Sequence, residues 1–518
     1  MQSFRLAIRL RRCGDRALHE AATLSRGAGG CGGGAAGAAS RARPIGRVAG
    51  HAIDQIAAFV ELVRARWRIP GVAVAVLLDG EPVLVQGFGV KNLVTGEPVD
   101  AHTAFEIGSC SKAYTAAAAA LLVEVGQIGW DDPVKRVMPE LALYDPAVAD
   151  QVSLRDLLSH RVGLSRAHLA EFGSDLSRAE VLARAVDAPK LAEFRTRHCY
   201  SNLGFVIAAE VVSCLAGEPF DRFVARRFLE PLAMADSTAA ARGWRAIANV
   251  ADPHQEWDYR QIPVMPLDSD NFMGAGSLYV SAHDAVAWLQ LQLGRSGLIA
   301  QASLDEMQRA QIRDPVEYGL GWRVGSHAGR RFAAHEGAVR GFRARTHVVP
   351  EIGYASFVAV NSEGAAPQAI ATFIDQVVNR LPRTDVIDEA EAASAGRRAQ
   401  AADRLKADMK LHPLDPANAL PLSAFGGHYR NRGFGELTLD EDRDALRVSL
   451  RDASSFAGWL VRYGDRSFAY QAGGFSGRTE ARPLRLNDPR VHFQLDQDKA
   501  VGLELLDMWF GPSSFERA

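Results

Sequence analysis

Apolar residues recur at helical spacing through Ile53, Ile56, Phe59, Val60, Val63 and Trp67, and the run stops at Ile69-Pro70. That pattern predicts an amphipathic helix. Two apolar runs follow, residues 72–78 and 82–90, separated by Asp79-Gly80, the signature of a tight β-hairpin. Residues 113–125 are rich in Ala and Leu and contain neither Gly nor Pro, which predicts a buried helix. The middle of the chain alternates helical segments with Gly/Pro punctuation. Residues 341–360 read again as strands, and 367–381 as a helix with Ile370, Phe373, Ile374, Val377 and Val378 on one face. Strands at both ends with helices between them imply one antiparallel sheet assembled from distant segments, with helices packed on it. The expected class is α+β.

From residue 383 the pattern changes. A charged, Ala-rich helical stretch at 388–410 leads into Pro413, Pro416 and Pro421, as in a linker. Short alternating segments at 436–439, 446–450 and 491–495 then predict a small all-β barrel or sandwich. The organisation expected is a leader at 1–50, a main domain at 51–382, a linker at 383–421 and a β-domain at 422–518. A chain of 518 residues suits several cores rather than one.

The leader carries Arg5, Arg9, Arg11, Arg12 and Arg16 before a Gly/Ala-rich run at 27–39. It lacks an uninterrupted apolar segment of secretory length. A disordered leader or a start site placed too far upstream is favoured over a transit segment. The expected location is cytoplasmic, with the periplasm as the alternative. No stretch is long and apolar enough to span a bilayer. Hydrophobic residues make up 47% and charged residues 23%, and the formal net charge is −2. This balance points away from nucleic acid and anionic membranes as partners. The five cysteines, an odd number at irregular spacing, argue against a disulfide framework or a zinc site. Homo-oligomerisation is left open.

Candidate chemistry begins with Ser109-x-x-Lys112, both read as lying in the first turn of the Ala-rich helix. A serine hydroxyl needs a base within reach, and a lysine three residues on along a helix shares its face. Taken alone, the spacing also fits an ordinary exposed helix. Tyr200-Ser201-Asn202 places a proton-shuttling phenol and an orienting amide two residues apart on an irregular segment. His335-Glu336-Gly337-Ala338 reads as a turn leading into the strand from Phe342. There Gly337 would admit a ligand to the backbone, and the Ala338 N–H would face a carbonyl oxygen. Cys110 and Cys199 flank the serine and the tyrosine, and are read as buried small residues rather than nucleophiles.

Ser-x-x-Lys, Tyr-x-Asn and His-x-Gly in this order resemble the serine β-lactamase and penicillin-binding enzyme superfamily, in its class C-like branch. Leu157-Leu-Ser-His-Arg-Val-Gly-Leu164, Pro231-Leu-Ala-Met-Ala-Asp236, Gly274-Ala-Gly-Ser277 with Ser281-Ala-His-Asp284, and Tyr318-Gly-Leu-Gly-Trp322 also look like that family. The resemblance covers residues 53–381, and the tail resembles the lipocalin-like β-domain often appended to such hydrolases. It implies that Ser109 is the nucleophile, Lys112 its base and Tyr200 a proton relay. Asn202, His335 and Gly337 would contact substrate, and the N–H groups of Ser109 and Ala338 would form the oxyanion hole. No cofactor or metal is implied, and the partner is a small molecule or short peptide. Lactamases of this branch carry Lys-Thr-Gly where this chain has His335-Glu336-Gly337, which disfavours penicillin hydrolysis. The expected activity is a peptidase or amidase on small peptides with D- or unusual residues. A carboxylesterase and a non-turnover penicillin sensor are the alternatives.

Overall fold

The computed structural model describes residues 46–518 apart from 167–173, 258–259, 328, 418, 455, 474–487, 507 and 509–511. The expectations for the leader therefore lie outside the described residues.

A six-stranded antiparallel sheet dominates the first part of the chain. Its N-terminal strands are β1 (Gly71–Leu78) and β2 (Glu81–Gly89), joined as a hairpin at Asp79-Gly80. Four short strands follow before the sheet resumes: first β3 (Ala104–Glu106), then β4 (His254–Trp257) and β5 (Arg260–Pro263) as a separate pair. Next comes β6 (Tyr279–Ser281), which pairs with β3. The sheet is completed by β7 (Arg323–His327), β8 (Arg330–Val339), β9 (Phe342–Val349) and β10 (Tyr354–Val360), in the order β2-β1-β10-β9-β8-β7. The segment ends thus meet in the middle of the sheet, with Val72 opposite Val360.

The six longer helices are α1 (Gly46–Arg66), α2 (Lys112–Glu124), α3 (Asn202–Ala216), α4 (Ala282–Gln292), α5 (Ala366–Val378) and α6 (Val386–Leu411). The strand period of two explains the layering. Val72, Val74 and Val76 of β1 face a core shared with α1 and α5. Ala73, Ala75 and Leu77 face the larger core containing α2, α3 and α4. Both faces of the sheet are covered, so β1 reads as an unbroken apolar run rather than as an alternation.

The C-terminal region forms a closed up-and-down barrel. Its strands are β11 (Gly427–Asn431), β12 (Gly435–Asp442), β13 (Ala445–Leu450), β14 (Gly458–Arg462), β15 (Ser467–Ala472), β16 (Arg490–Asp496), β17 (Lys499–Leu505) and β18 (Ser513–Arg517). Pairing of Tyr429 with Arg517 closes the ring. Closure removes the exposed edges that an open sheet of such short strands would present. Phe425, Phe468 and Phe493 fill its interior with ring centroids 4.9–5.1 Å apart. The barrel touches the first region at Asp175, whose carboxylate accepts from Ser454 N and Oγ, and at Arg184, which pairs with Asp452.

Candidate active site

Ser109 does not lie in the first turn of α2, as its spacing suggests. It sits in the preceding 3-10 turn, Gly108–Ser111, which feeds directly into the helix. Phe105 and Glu106 of β3 anchor that turn by pairing with β6. Lys112 opens α2 and is fully buried. Its Nζ lies 2.7 Å from Asn202 Oδ1, 2.8 Å from the Ala275 carbonyl and 3.1 Å from Ser109 Oγ. Tyr200 OH donates to the same Ser109 Oγ at 2.8 Å. The serine oxygen is thus held between an amine and a phenol.

The chemistry of the amine follows from its partners. Asn202 Oδ1 and the Ala275 carbonyl can only accept hydrogen bonds, so they take both N–H bonds of a neutral lysine. The remaining position, a lone pair in that protonation state, faces the Ser109 hydroxyl. Such a group can accept the serine proton.

The third motif lies inside β8 rather than in a turn before a strand. Gly337 explains why strand and serine come so close. A Cβ at that position would stand 1.8 Å from the Ile107 carbonyl and 3.3 Å from Ser109 N. On the other side, a Cβ on Gly108 would stand 2.8 Å from Ala338 N. The two glycines therefore let the backbones of the Ser109 turn and of β8 abut, bringing the Ser109 and Ala338 amides to one spot.

Strand alternation sends His335 and Glu336 to opposite faces. His335 is buried, its Nε2 lies 2.8 Å from Tyr318 OH, and its Nδ1 lies 2.7 Å from the Glu336 carbonyl. A carbonyl only accepts, so Nδ1 carries the proton and Nε2 receives the Tyr318 hydroxyl. Burial, with Lys112 nearby, holds this imidazole well below its usual pKa. His335 therefore contributes a neutral ring with both nitrogens engaged. Glu336 pairs with Arg345, its neighbour across the β8–β9 ladder, and with Arg323 at 3.2 Å.

Several groups at the site carried no recognisable signal in the sequence. Ala275 acts through its backbone. His160, within the family-like segment 157–164, presses its ring on Tyr200 with centroids 4.2 Å apart, and its Nδ1 accepts from Ser201 N at 3.1 Å. His198 meets the His160 ring edge-on at 5.2 Å and the Tyr318 ring at a tilt, 5.1 Å away. Burial lowers His160 well below the usual imidazole range and brings His198 down to about 4. Arg166 places its guanidinium carbon 5.0 Å from the Tyr200 ring centroid, at the edge of the site. Cys110 is buried and donates to the His335 carbonyl, and desolvation pushes its thiol up to about 12. That thiol is no nucleophile at neutral pH.

The family model for beta-lactamase matches residues 59–379, the span that builds the sheet and its helical layers. The chain belongs to the beta-lactamase family. Unguisins hydrolase ungD' of Aspergillus campestris is 26% identical over 444 residues, 78% of this chain and 82% of that one. D-aminopeptidase of Brucella ovis is 26% identical over 343 residues, 64% of each chain. Among solved structures, the octameric penicillin-binding protein homologue from Pyrococcus abyssi aligns with a TM-score of 0.59 at 19% identity. It covers 90% of this chain and 100% of its own. That last likeness extends the shared architecture beyond the beta-lactamase span into the C-terminal region. Hydrolases thus stand among this family member's relatives. Among the described residues, no single helix is long and apolar enough to cross a membrane.

Proposed function

We propose that this beta-lactamase family member is a serine hydrolase that cleaves amide bonds through an acyl-enzyme. The observation that carries the reading is Ser109 Oγ, 3.1 Å from Lys112 Nζ and 2.8 Å from Tyr200 OH. Ser109 Oγ attacks the carbonyl carbon while its proton passes to neutral Lys112. The N–H groups of Ser109 and Ala338 stabilise the oxyanion that forms on the carbonyl oxygen. Tyr200 delivers a proton to the leaving nitrogen, the C–N bond breaks, and the Ser109 ester remains. Water then attacks that ester with the Tyr200 phenolate accepting its proton, the C–O bond to Ser109 breaks as Lys112 returns its proton to Ser109 Oγ, and the acid product leaves.

The substrate reading is a small peptide or amide with D- or otherwise unusual residues. Two considerations support it. His335 offers a neutral imidazole where lactamases of this branch place a lysine, so a β-lactam carboxylate gains little there. Relatives named as an unguisins hydrolase and a D-aminopeptidase point the same way. A panel of D- and L-aminoacyl amides, linear peptides, nitrophenyl esters and nitrocefin tests this. Turnover of D-configured amides is expected to lead. Nitrocefin hydrolysis far above the rest would overturn the peptide reading, and ester-only turnover would replace it with a carboxylesterase.

A further inference from the structure

Two imidazoles and a carboxylate from three separate segments converge at the N-terminal end of β3, the end away from Ser109. His102 lies in the turn before β3, Asp236 in the loop preceding Thr238, and His283 in the first turn of α4. His102 Nδ1 is 2.8 Å and His283 Nδ1 3.8 Å from the same oxygen, Asp236 Oδ2. The two rings stack with centroids 4.4 Å apart at 30°. Asp284 Oδ1 lies beside the cluster, 3.1 Å from His283 Nδ1. The donor atoms of His102, Asp236 and His283 all lie within 4.8 Å of one another.

The segments bearing these donors are braced. Buried Asp284 accepts at Oδ2 from Asp236 N and from Ser237 Oγ, both at 2.8 Å, tying the Asp236 loop to the start of α4. Ser281 Oγ, 3.3 Å from Asp236 Oδ2, caps the same helix. Asp100 Oδ1 accepts from His102 N at 2.9 Å, and its charge adds to the negative potential around His102. The histidine side chains are 55% and 54% exposed, against 26% for Asp236, so the carboxylate is recessed beneath two surface rings.

We propose that His102, Asp236 and His283 bind a divalent transition-metal ion of the zinc type, with Asp284 beside them. Two imidazole nitrogens with carboxylate oxygen form a donor set that suits such an ion. Donors about 3.4 Å apart surround an ion with bond lengths near 2.1 Å, and the separations of 2.8 and 3.8 Å from Asp236 Oδ2 to the two imidazoles bracket that spacing. The ion would clip the turn before β3, the Asp236 loop and α4 together. It would brace the β3–β6 pair from the end opposite the nucleophile, leaving the acyl-transfer chemistry to Ser109. A second cluster, Asp408, His412 and His492, suits a metal less well. There Tyr463 and His492 occupy one Asp408 oxygen, and Arg490, a cation, lies 3.3 Å from the other.

The test is calorimetric titration of the full chain, stripped with chelator, with zinc chloride, alongside the visible absorption of a cobalt(II) titration. One ion per chain is expected, with a rise in Tm on binding. His102→Ala, His283→Ala and the size-conserving His102→Gln should each weaken binding by roughly tenfold or more. His412→Ala should leave binding unchanged, and circular dichroism should show all variants folded. Absence of binding at about 100 μM zinc would overturn the proposal. So would one ion retained at full affinity in the His102 and His283 variants, or loss of binding in His412→Ala instead.

Discussion

At the scale of single residues, the site rests on which groups can donate and which can only accept. Asn202 Oδ1 and the Ala275 carbonyl fix the two N–H directions of Lys112, so its third position is left for Ser109. Lys112→Ala should therefore lower kcat by roughly a thousandfold while leaving KM for a chromogenic amide within a few fold, because it removes a group acting on the proton in flight. Asn202→Ala should act in the same direction, through misplacement of the lysine. Tyr200→Phe keeps the ring packing against His160 and loses only the hydroxyl. Its kcat should fall by about a hundredfold or more with amides and less with nitrophenyl esters, whose leaving group needs no proton. Equal losses on both substrates would contradict a role for Tyr200 in protonating the leaving nitrogen. Ser109, Lys112 and Tyr200 stand in motifs spaced along the sequence, and the structure brings the three together. Ala275 was not legible there, because a carbonyl is common to every residue, and His198 was not, because a lone histidine has no spacing to read.

At the scale of elements, the differences between pattern and structure have a common cause. Glycine is depleted in strands, so His335-Glu336-Gly337 reads as a turn, yet it forms the C-terminal half of β8. Here glycine serves the close approach of one backbone to another. Gly337→Ala should abolish turnover, because its Cβ cannot share space with the Ile107 carbonyl 1.8 Å away. It should also lower stability by about 1–3 kcal/mol, as backbone is forced apart, measurable by urea titration. Activity and stability both near those of the parent would show that β8 and the Ser109 turn need not abut. The start of α3 was similarly obscure. Ser201 makes no side-chain capping bond, so Asn202 enters a helix that no cap announces. In contrast, the β1–β2 hairpin, α5 and the strands β12, β13 and β16 were legible, because period, length and punctuation agree there. The barrel's closure was not, since strand patterns reveal strands and not their partners.

At the scale of the whole molecule, one sheet gathers segments from both ends of a 300-residue span, and the reactive turn is pinned between that sheet and the helical layer. This burial has a consequence for pH. His160 and His335 lie well below their usual pKa, and burial holds His198 near about 4 and His347 near about 3. In the unfolded chain they would bind protons with the ordinary imidazole pKa of 6.5. Below that pH the unfolded state takes up more protons, so stability is present above about pH 6.5 and is lost as pH falls toward 4. Buried Glu106, raised to about 7 by desolvation, works the other way, losing its contribution as pH rises from 4.5 through 7. His254 is lowered by burial as well, and these five histidines against the raised carboxyls of Glu106, Asp270 and Asp375 predict a Tm that falls from pH 6.5 to 4; a flat profile would contradict it. The central claim concerns the covalent state of the entire chain. Incubation with a fluorophosphonate, followed by intact-protein and peptide mass spectrometry, measures it directly. The account predicts a single adduct on Ser109, absent from Ser109→Ala, which should also lose amide turnover. Labelling at another residue, or turnover undiminished in Ser109→Ala, would contradict it.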